Sequence, residues 1–313
     1  MRSVLNLLRR PTGGHRRTAI VAAAKRCTIA TVNAEAGGRA RVESCIVLPG
    51  DAPAQRAAIA HWFERERASA GRVSCVLEPS EYQMLLVEAP DVLPAELKGA
   101  VRWRLKDLLD FPVADAAIDV LPIPDPARRR GPRMLYVVAA RRHAVDEHVA
   151  ALRSARADLD VIDIPELALR NLAVRLPVAG DGLVLLWSTA ERAQLCLIKG
   201  EKLYLTRQVR FSPADRVELE SGDARTEAIA LELQRSLDYF ESHYEQTPPA
   251  RLLVAPADGQ ARRLVEALAG QTALPVELLD PRQAIDLPED FDAGDRDALV
   301  AVGAALRGEP TGG

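Results

Sequence analysis

Residues 19–32 read AIVAAAKRCTIATV, and residues 183–198 read LVLLWSTAERAQLCLI. Each stretch holds two apolar runs separated by a short polar turn, which is the pattern of a β-hairpin. A third strand-like run follows each hairpin, at 39–47 and at 202–209, and the turns before these runs carry Gly37-Gly38 and Lys199-Gly200. The same three-stranded opening therefore occurs twice, which indicates two domains of similar construction.

Both openings continue into alternating helices and strands. Helical spacing of apolar residues predicts one helix at 49–68 before a strand at 72–77, and a longer helix at 225–244 before a strand at 251–254. Shorter elements complete the second half: a helix at 260–269, a strand at 276–279 and a helix at 296–307. The repeated order predicts an α/β fold in which a mixed sheet in each half is covered by helices.

A distinct unit interrupts the first half. Strand, helix, strand, strand, helix and strand patterns follow one another at 82–88, 97–109, 116–123, 134–140, 143–156 and 159–164. This order is typical of a ferredoxin-like or SHS2-like module, so we expect an inserted subdomain at about 80–160. A helix at 166–176 and the Pro/Gly segment 177–182 then mark the domain boundary. We expect a basic flexible tail at 1–17, domain I at 18–177 and domain II at 178–313.

Composition excludes several classes of function. A net charge of −3 over 313 residues gives no global field for nucleic acid or an anionic membrane. The four cysteines form no C-x-x-C pair, so we expect no metal, and the apolar stretches around them predict buried thiols in a reducing compartment. No apolar run is long enough to span a bilayer, and the start, with Val4, Leu5, Leu7 and Leu8 between arginines, is too short for a signal peptide. We therefore expect a cytoplasmic protein whose first residues form a flexible tail or, alternatively, a weak contact with a membrane surface or a partner.

Two domains that each open with a three-stranded meander, joined by one short helical connection, are typical of an actin-like (ribonuclease H-like) ATPase fold. Longer segments resemble the PilM/MshI family of type IV pilus assembly proteins. These segments are ELKGAVRWRLKDLLDFPVADAAIDV (96–120), VIDIPELALRNL (161–172), LELQRSLDYFESHYEQ (231–246), LLVAPADG (252–259) and ALVAVGAALRG (298–308). They occur in the family's order and span nearly the whole chain after the basic tail.

The hairpins depart from a nucleotide-binding pattern. Actin-fold ATPases hold phosphate and Mg²⁺ on two hairpin turns through a glycine and an acidic residue, because glycine allows close backbone approach and a carboxylate organises the metal. Here Ala22, Ala23 and Ala24 stand in the first turn. Trp187 stands near the expected Asp of the second turn, with Ser188 and Thr189 after it. The adenosine-side glycine pair is also missing, around Ala255 and Pro256. We therefore predict no cofactor, no catalytic residue and a pseudo-ATPase.

Several polar residues have a simpler interpretation than catalysis. Ser188 and Thr189 could donate to phosphate, but a role in a strand-edge turn is favoured. Asp163 precedes a helix, where a carboxylate is stabilised by the helix dipole. The pairs Asp107/Asp110 and Asp238/Glu241 are typical of solvated helix faces. The run Arg128–Arg130 lies in a Pro/Gly loop without aromatic residues, so a solvated loop is favoured over a nucleic-acid patch.

The resemblance implies a partner rather than a substrate. Proteins of this family accept the short cytoplasmic N-terminal peptide of a single-span membrane protein in a groove of the first domain, so we expect a MshJ-like or PilN-like partner and a contact to the pilus motor ATPase. Trp103, between Arg102 and Arg104, is either a half-buried subdomain contact or one wall of that groove. We expect a non-catalytic scaffold at the inner face of the inner membrane. The alternative is a switch that binds ATP between the domains. A third interpretation, an actin-fold kinase, requires the missing Asp and Gly residues.

Overall fold

The computed structural model describes residues 16–34, 39–124, 132–189, 191–211, 223–255 and 261–307. The strands in chain order are β1 Arg16–Ala23, β2 Arg26–Asn33, β3 Arg41–Pro49, β4 Arg72–Val76, β5 Tyr82–Glu88, β6 Ala116–Pro122, β7 Met134–Arg141, β8 Leu159–Asp163, β9 Leu183–Ser188, β10 Arg192–Lys199, β11 Lys202–Arg210, β12 Arg251–Val254 and β13 Val276–Leu278. The helices are α1 Ala52–Ala70, α2 Leu97–Arg104, α3 Arg142–Ser154, α4 Pro165–Ala173, α5 Asp223–Tyr244, α6 Ala261–Ala269 and α7 Arg296–Ala305.

The first sheet has the strand order β3-β2-β1-β4-β8. Strands β1, β2 and β3 form the predicted antiparallel meander, while β4 pairs parallel to β1 and β8 parallel to β4. Helix α1 provides the crossover that a parallel pair requires, and the side chain of Asp51 caps its start by accepting from the backbone of Ala54. Helices cover both faces of the central strands, which explains why most residues of β1 and β2 are buried.

The second sheet repeats this topology in the order β11-β10-β9-β12-β13. The turn between β10 and β11 places Gly200 at a φ of 58°, a conformation that favours glycine, so this predicted turn is confirmed. Two five-stranded sheets with the same strand order are the expected actin-like arrangement. The predicted turn at Gly37-Gly38 lies outside the described residues.

The inserted subdomain has three described strands, in the order β5-β7-β6, with both pairs antiparallel. The prediction that the strand at 159–164 completes this subdomain is wrong, because β8 pairs with β4 in the first sheet. Val161, Ile162 and Asp163 are all buried, and such a continuous run suits a parallel strand covered on both faces. Helix α2 also ends at Arg104, earlier than the predicted 109, and turns lead from there to Phe111.

The last helix returns to the first half of the chain. Helix α7 packs on β1 and β2 of the first sheet and crosses α4, while residue 286 forms a parallel bridge with Arg41 at the start of β3. The predicted boundaries place α7 in domain II and did not anticipate that it packs on the first sheet. These boundaries remain predictions. The tail prediction is wrong at its last two residues, since Arg16 and Arg17 belong to β1 and Arg17 is buried. Residues 1–15 lie outside the described part.

The core forms three apolar clusters. One fills the space between the two large sheets around α4 and α7, a second lies between the outer face of the second sheet and α5, and a third lies under α2 in the subdomain. The cysteines are unpaired, and three of them are buried while Cys45 is partly buried. Burial raises the pKa of the Cys27 thiol to about 12, so this side chain behaves as a small apolar group.

Candidate functional site

The first hairpin turn, at Ala24 and Lys25, carries Ala22 and Ala23 just before it. The backbone of Ala24 is hydrogen-bonded to the carboxylate of Glu78, so a protein carboxylate takes the backbone donor that a phosphate needs in an ATPase of this fold. Burial and the neighbouring Glu81 raise the pKa of Glu78. The amide of Gln55 holds the other side of the turn by donating to the carbonyl of Ala23 at 2.7 Å.

An ion-pair cluster lies beside this turn. The guanidinium of Arg26 donates to both carboxylate oxygens of Asp295, at 2.8 and 2.9 Å, and to Asp297 at 2.8 Å. Asp295 is also the N-cap of α7 and accepts from the backbone of Asp297 at 2.8 Å. Burial raises the pKa of Asp297, but Arg296 and Arg26 outweigh burial and leave it below its usual value. The cluster ties the first hairpin to the start of the last helix.

The second hairpin turn is held by another arginine. The indole of Trp187 is buried in the core between the sheets, so it does not face a ligand. The guanidinium of Arg225, on α5, donates to the hydroxyl of Ser188 and, at 2.7 Å, to the carbonyl of Thr189. It also stacks over the ring of Phe211 with its central carbon 5.0 Å from the ring centre.

The backbone of this turn is also occupied. The N–H of Thr189 donates to the carbonyl of Arg192 at 2.8 Å, and the Thr189 hydroxyl accepts from the backbone of Glu191. Ser188 and Thr189 thus make the hydrogen bonds of a strand-edge turn. At the third loop, the N–H of Ala255 donates to the carbonyl of Leu186 at 2.7 Å, and Pro256 lies outside the described residues.

Two buried carboxylates lie where the first sheet meets α4. Asp163 accepts from the backbone of Ile164 at 2.9 Å and pairs with Arg307 at 2.7 Å, both side chains being buried. The hydroxyl of Tyr82 donates to Glu166 at 2.5 Å, and burial raises the pKa of Glu166. A buried carboxylate held by an arginine or by a tyrosine hydroxyl is fixed in position, which suits a structural role.

The buried acids are used in contacts within the chain. No group of three or more His, Cys, Asp or Glu side chains within that part of the chain could hold a metal ion. Asp163, Glu166, Asp295 and Asp297 each interact with an arginine or a tyrosine hydroxyl of the chain itself. The arrangement can fix the sheets relative to one another, and its donors and carboxylates are used in doing so.

The other acidic pairs lie on the surface. Asp107 is exposed, and Asp110 pairs with Arg141 at 3.2 Å. Asp238 accepts from Gln234 one turn earlier on α5 at 2.8 Å. The basic run Arg128–Arg130 lies outside the described residues.

On helix α2, the two arginines that flank Trp103 both have partners within the chain. Arg102 is a structural residue, because its guanidinium donates to the carbonyls of Val113 and Ala116. Arg104 pairs with Glu88 at 3.3 Å on the surface. Trp103 is 83% exposed, so the half-buried subdomain contact is wrong.

Exposed apolar side chains are concentrated near Trp103 in the sequence. Six large apolar residues in the described part of the chain are exposed, and four of them lie between residues 92 and 108: Val92, Leu93, Trp103 and Leu108. We call these four residues the α2 surface. Where exposed apolar side chains form one patch, the patch is typical of an interaction site.

Sequence patterns missed the arginines that hold the second hairpin and the buried Asp163. Arg225 and Arg307 carried no predicted role, although both lie inside or beside segments that were recognised as helices. Their partners are 36 and 144 positions away in the chain, so no local spacing pairs them. The only available signal was indirect, because the loops lacked the residues that would bind a phosphate.

Comparison with solved structures confirms the fold. The chain is similar to a chain of the PilM-PilN type IV pilus biogenesis complex, with a TM-score of 0.67 and 21% identity over 94% of this chain and 99% of that chain. It is similar to the cytoplasmic domain of EpsL, an inner-membrane component of the type II secretion system of Vibrio cholerae, with a TM-score of 0.50 and 14% identity over 92% and 94% of the two chains. It is also similar to a protein with an actin-like ATPase fold from Bacteroides thetaiotaomicron, with a TM-score of 0.51 and 8% identity over 87% of this chain and 93% of that chain.

These likenesses establish the expected actin-like fold and the fold-level resemblance to PilM. No protein-family model matches the sequence, and no curated protein is significantly similar to it. The specific likeness to MshI stays a prediction. Among the described helices, none is long and apolar enough to cross a bilayer.

Proposed function

We propose that this chain is a non-catalytic scaffold of a type IV pilus or related secretion assembly platform, which acts at the inner face of the inner membrane. The full-length likeness to a chain of a PilM-PilN complex supports this, as does the likeness to the cytoplasmic domain of EpsL. The observation that carries the proposal is the 83% exposed Trp103 in a subdomain of that fold. A large aromatic side chain held in water is typical of a binding anchor.

The non-catalytic part of the proposal rests on the hairpins. In an ATPase of this fold, both turns must offer backbone donors and a carboxylate to Mg-ATP. Here the first turn donates to Glu78, and the N–H of Thr189 in the second turn donates to the carbonyl of Arg192. Binding a triphosphate would require breaking these contacts, and we infer a pseudo-ATPase without cofactor.

The partner we propose is a PilN-like, single-span protein of the inner membrane, whose cytoplasmic N-terminal peptide docks on the α2 surface. If the pilus is of the MSHA type, the corresponding partner is MshJ-like, and a further contact to the pilus motor ATPase would link the membrane protein to its energy source. Docking of a short peptide on a fixed apolar surface needs no change in covalent bonds.

The test is a binding titration of that peptide, labelled with a fluorophore, against the full chain. Trp103→Ala should weaken binding by roughly 30-fold, which is the effect of losing an anchor worth about 2 kcal/mol. Leu231→Ala is the matched control, because Leu231 is 53% exposed on α5 and lies in the other half of the chain. Equal affinity of the Trp103 variant and the parent chain would remove the α2 surface from the binding site.

A further inference from the structure

A groove separates helix α1 from the outer strand β3 of the first sheet, and its volume is about 450 Å³. Its apolar lining residues are Ile46, Leu48, Ala58 and Trp62, and charged or polar side chains form the remaining wall. This volume lies in the range of ordinary ligand pockets. The groove belongs to the first sheet and α1, and no residue of the α2 surface lines it.

Strand β3 is an edge strand, and its inner side pairs with β2. Its start is covered, because the backbone of residue 286 exchanges hydrogen bonds with Ala40 and Val42. From Ser44 to Leu48, no strand of the described part of the chain pairs with its outer side. An edge of this kind, with an apolar groove beside it, is where an extended peptide can dock.

The N-terminal segment reaches the mouth of this groove. Arg16 is the first described residue of β1; it lines the groove, and its guanidinium pairs with Glu43 of β3 across the intervening strand. The fifteen preceding residues therefore join the sheet at the groove itself. Seven residues lie between Leu8 and Arg16, so these two positions can be up to about 26 Å apart when the chain is extended, and the segment is long enough to fold back along the groove.

The composition of the segment matches the groove. Its apolar side chains after Met1 are Val4, Leu5, Leu7 and Leu8, within the stretch VLNLL, and Gly13-Gly14 lies between them and Arg16, where a reversal of direction is needed. A tethered segment is present at an effective concentration of about millimolar, so an affinity of about millimolar would be enough for docking.

We propose that residues 4–8 of this chain dock in the groove between α1 and β3 as an internal ligand. The segment then covers the apolar lining and the outer edge of β3. Any extended peptide of another protein must displace it to use the same edge. The groove is therefore a second, self-occupied docking site, separate from the surface proposed for the membrane partner.

Disulfide trapping in the full chain tests this proposal. In a Cys45→Ser background, Leu7→Cys is combined with Ala58→Cys, which lies in the groove, or with Ala57→Cys, its exposed neighbour on α1 that does not line it. A disulfide requires α-carbons within about 7 Å, so mild oxidation should link position 7 to position 58 within one chain about tenfold faster than to position 57. Non-reducing electrophoresis and peptide mass analysis give the rates.

A further variant tests the apolar character of the docking. Leu5→Ser with Leu8→Ser should slow the link to position 58 to the rate seen at position 57. Equal rates at positions 57 and 58, or an unchanged rate in the serine variant, would overturn the proposal. A disulfide formed only between two chains would also overturn it, because the groove would then hold the segment of a second copy.

Discussion

Arg225 joins helix α5 to the second hairpin through the hydroxyl of Ser188 and the carbonyl of Thr189. Arg225→Met keeps the length of the side chain and removes these charge-assisted hydrogen bonds. We expect a loss of about 1–3 kcal/mol in the free energy of unfolding, measured by urea denaturation. Arg235→Met is the control on the same helix, where the side chain is 66% exposed, and should change stability by less than about 0.5 kcal/mol. Similar losses in both variants would contradict the role given to Arg225.

His148 predicts a dependence of stability on pH. Its ring lies 2.8 Å from a carboxylate oxygen of Glu81, and Cys75 and Glu81 raise its pKa to about 11 against the effect of burial. Because the folded pKa lies above the unfolded value of about 6.5, the stabilisation is complete below that pH and is lost as the pH rises toward the folded value.

The test of this dependence compares His148→Gln with the parent chain in urea. The parent should exceed the variant in unfolding free energy by more at about pH 6 than at about pH 9. Glu81 titrates well below this range. Burial raises its pKa, but the contact with His148 outweighs burial and leaves the pKa below its usual value. A difference between the two proteins that stays constant across the range would contradict the coupling.

At the scale of single residues, the sequence revealed what the hairpins lack and not what replaces it. The missing glycine and aspartate can be seen at Ala24 and Trp187, because the expectation there concerns a few adjacent positions. The replacement groups come from α5, and from Glu78 after β4, and only the folded chain brings them to the turns. The role of Trp103 in partner binding stays a prediction, and its exposure depends on where α2 lies on the subdomain.

Helices α4 and α7 cross at Gly303, in the layer between the two sheets. A β-carbon at this position would lie 2.1 Å from the backbone carbonyl oxygen of Ala168, so Gly303→Ala must push the helices apart. We expect a loss of about 1–3 kcal/mol, or a failure to fold, measured by thermal and urea unfolding.

Gly99→Ala on α2 is the matched control for this crossing. Its β-carbon would meet nothing within 4 Å, so the usual preference of helices for alanine should make the variant equal to the parent or about 0.5–1 kcal/mol more stable. A Gly303 variant as stable as the Gly99 variant would contradict the close packing of α4 on α7.

At the scale of elements, nearly every helix and strand of the described chain was predictable from apolar spacing. The partner of a strand was not always predictable. The run at 159–164 could extend either sheet by its own pattern, and it pairs with β4 because the subdomain returns the chain to that edge of the first sheet. The early end of α2 has a similar cause, since Leu105 and Phe111 turn inward to the subdomain core.

Across the whole molecule, side-chain contacts join all three sheets. The hydroxyl of Tyr136, in the subdomain, accepts from the backbone of Thr206 on β11 at 2.9 Å, and Tyr82 anchors the subdomain to α4 through Glu166. Arg26 and Arg307 hold the last helix to the first sheet from both of its ends. A molecule fixed in this way presents constant surfaces, as the proposed scaffold function requires.

Unfolding of the full chain in increasing concentrations of Mg-ATP tests the central claim most directly, because stabilisation by a ligand depends only on binding. A nucleotide present at a hundred times its dissociation constant would raise the unfolding free energy by about 2.7 kcal/mol. We predict an unchanged free energy of unfolding up to millimolar Mg-ATP. A saturable increase in stability, lost when Mg²⁺ is chelated, would contradict the account and indicate a nucleotide-dependent switch.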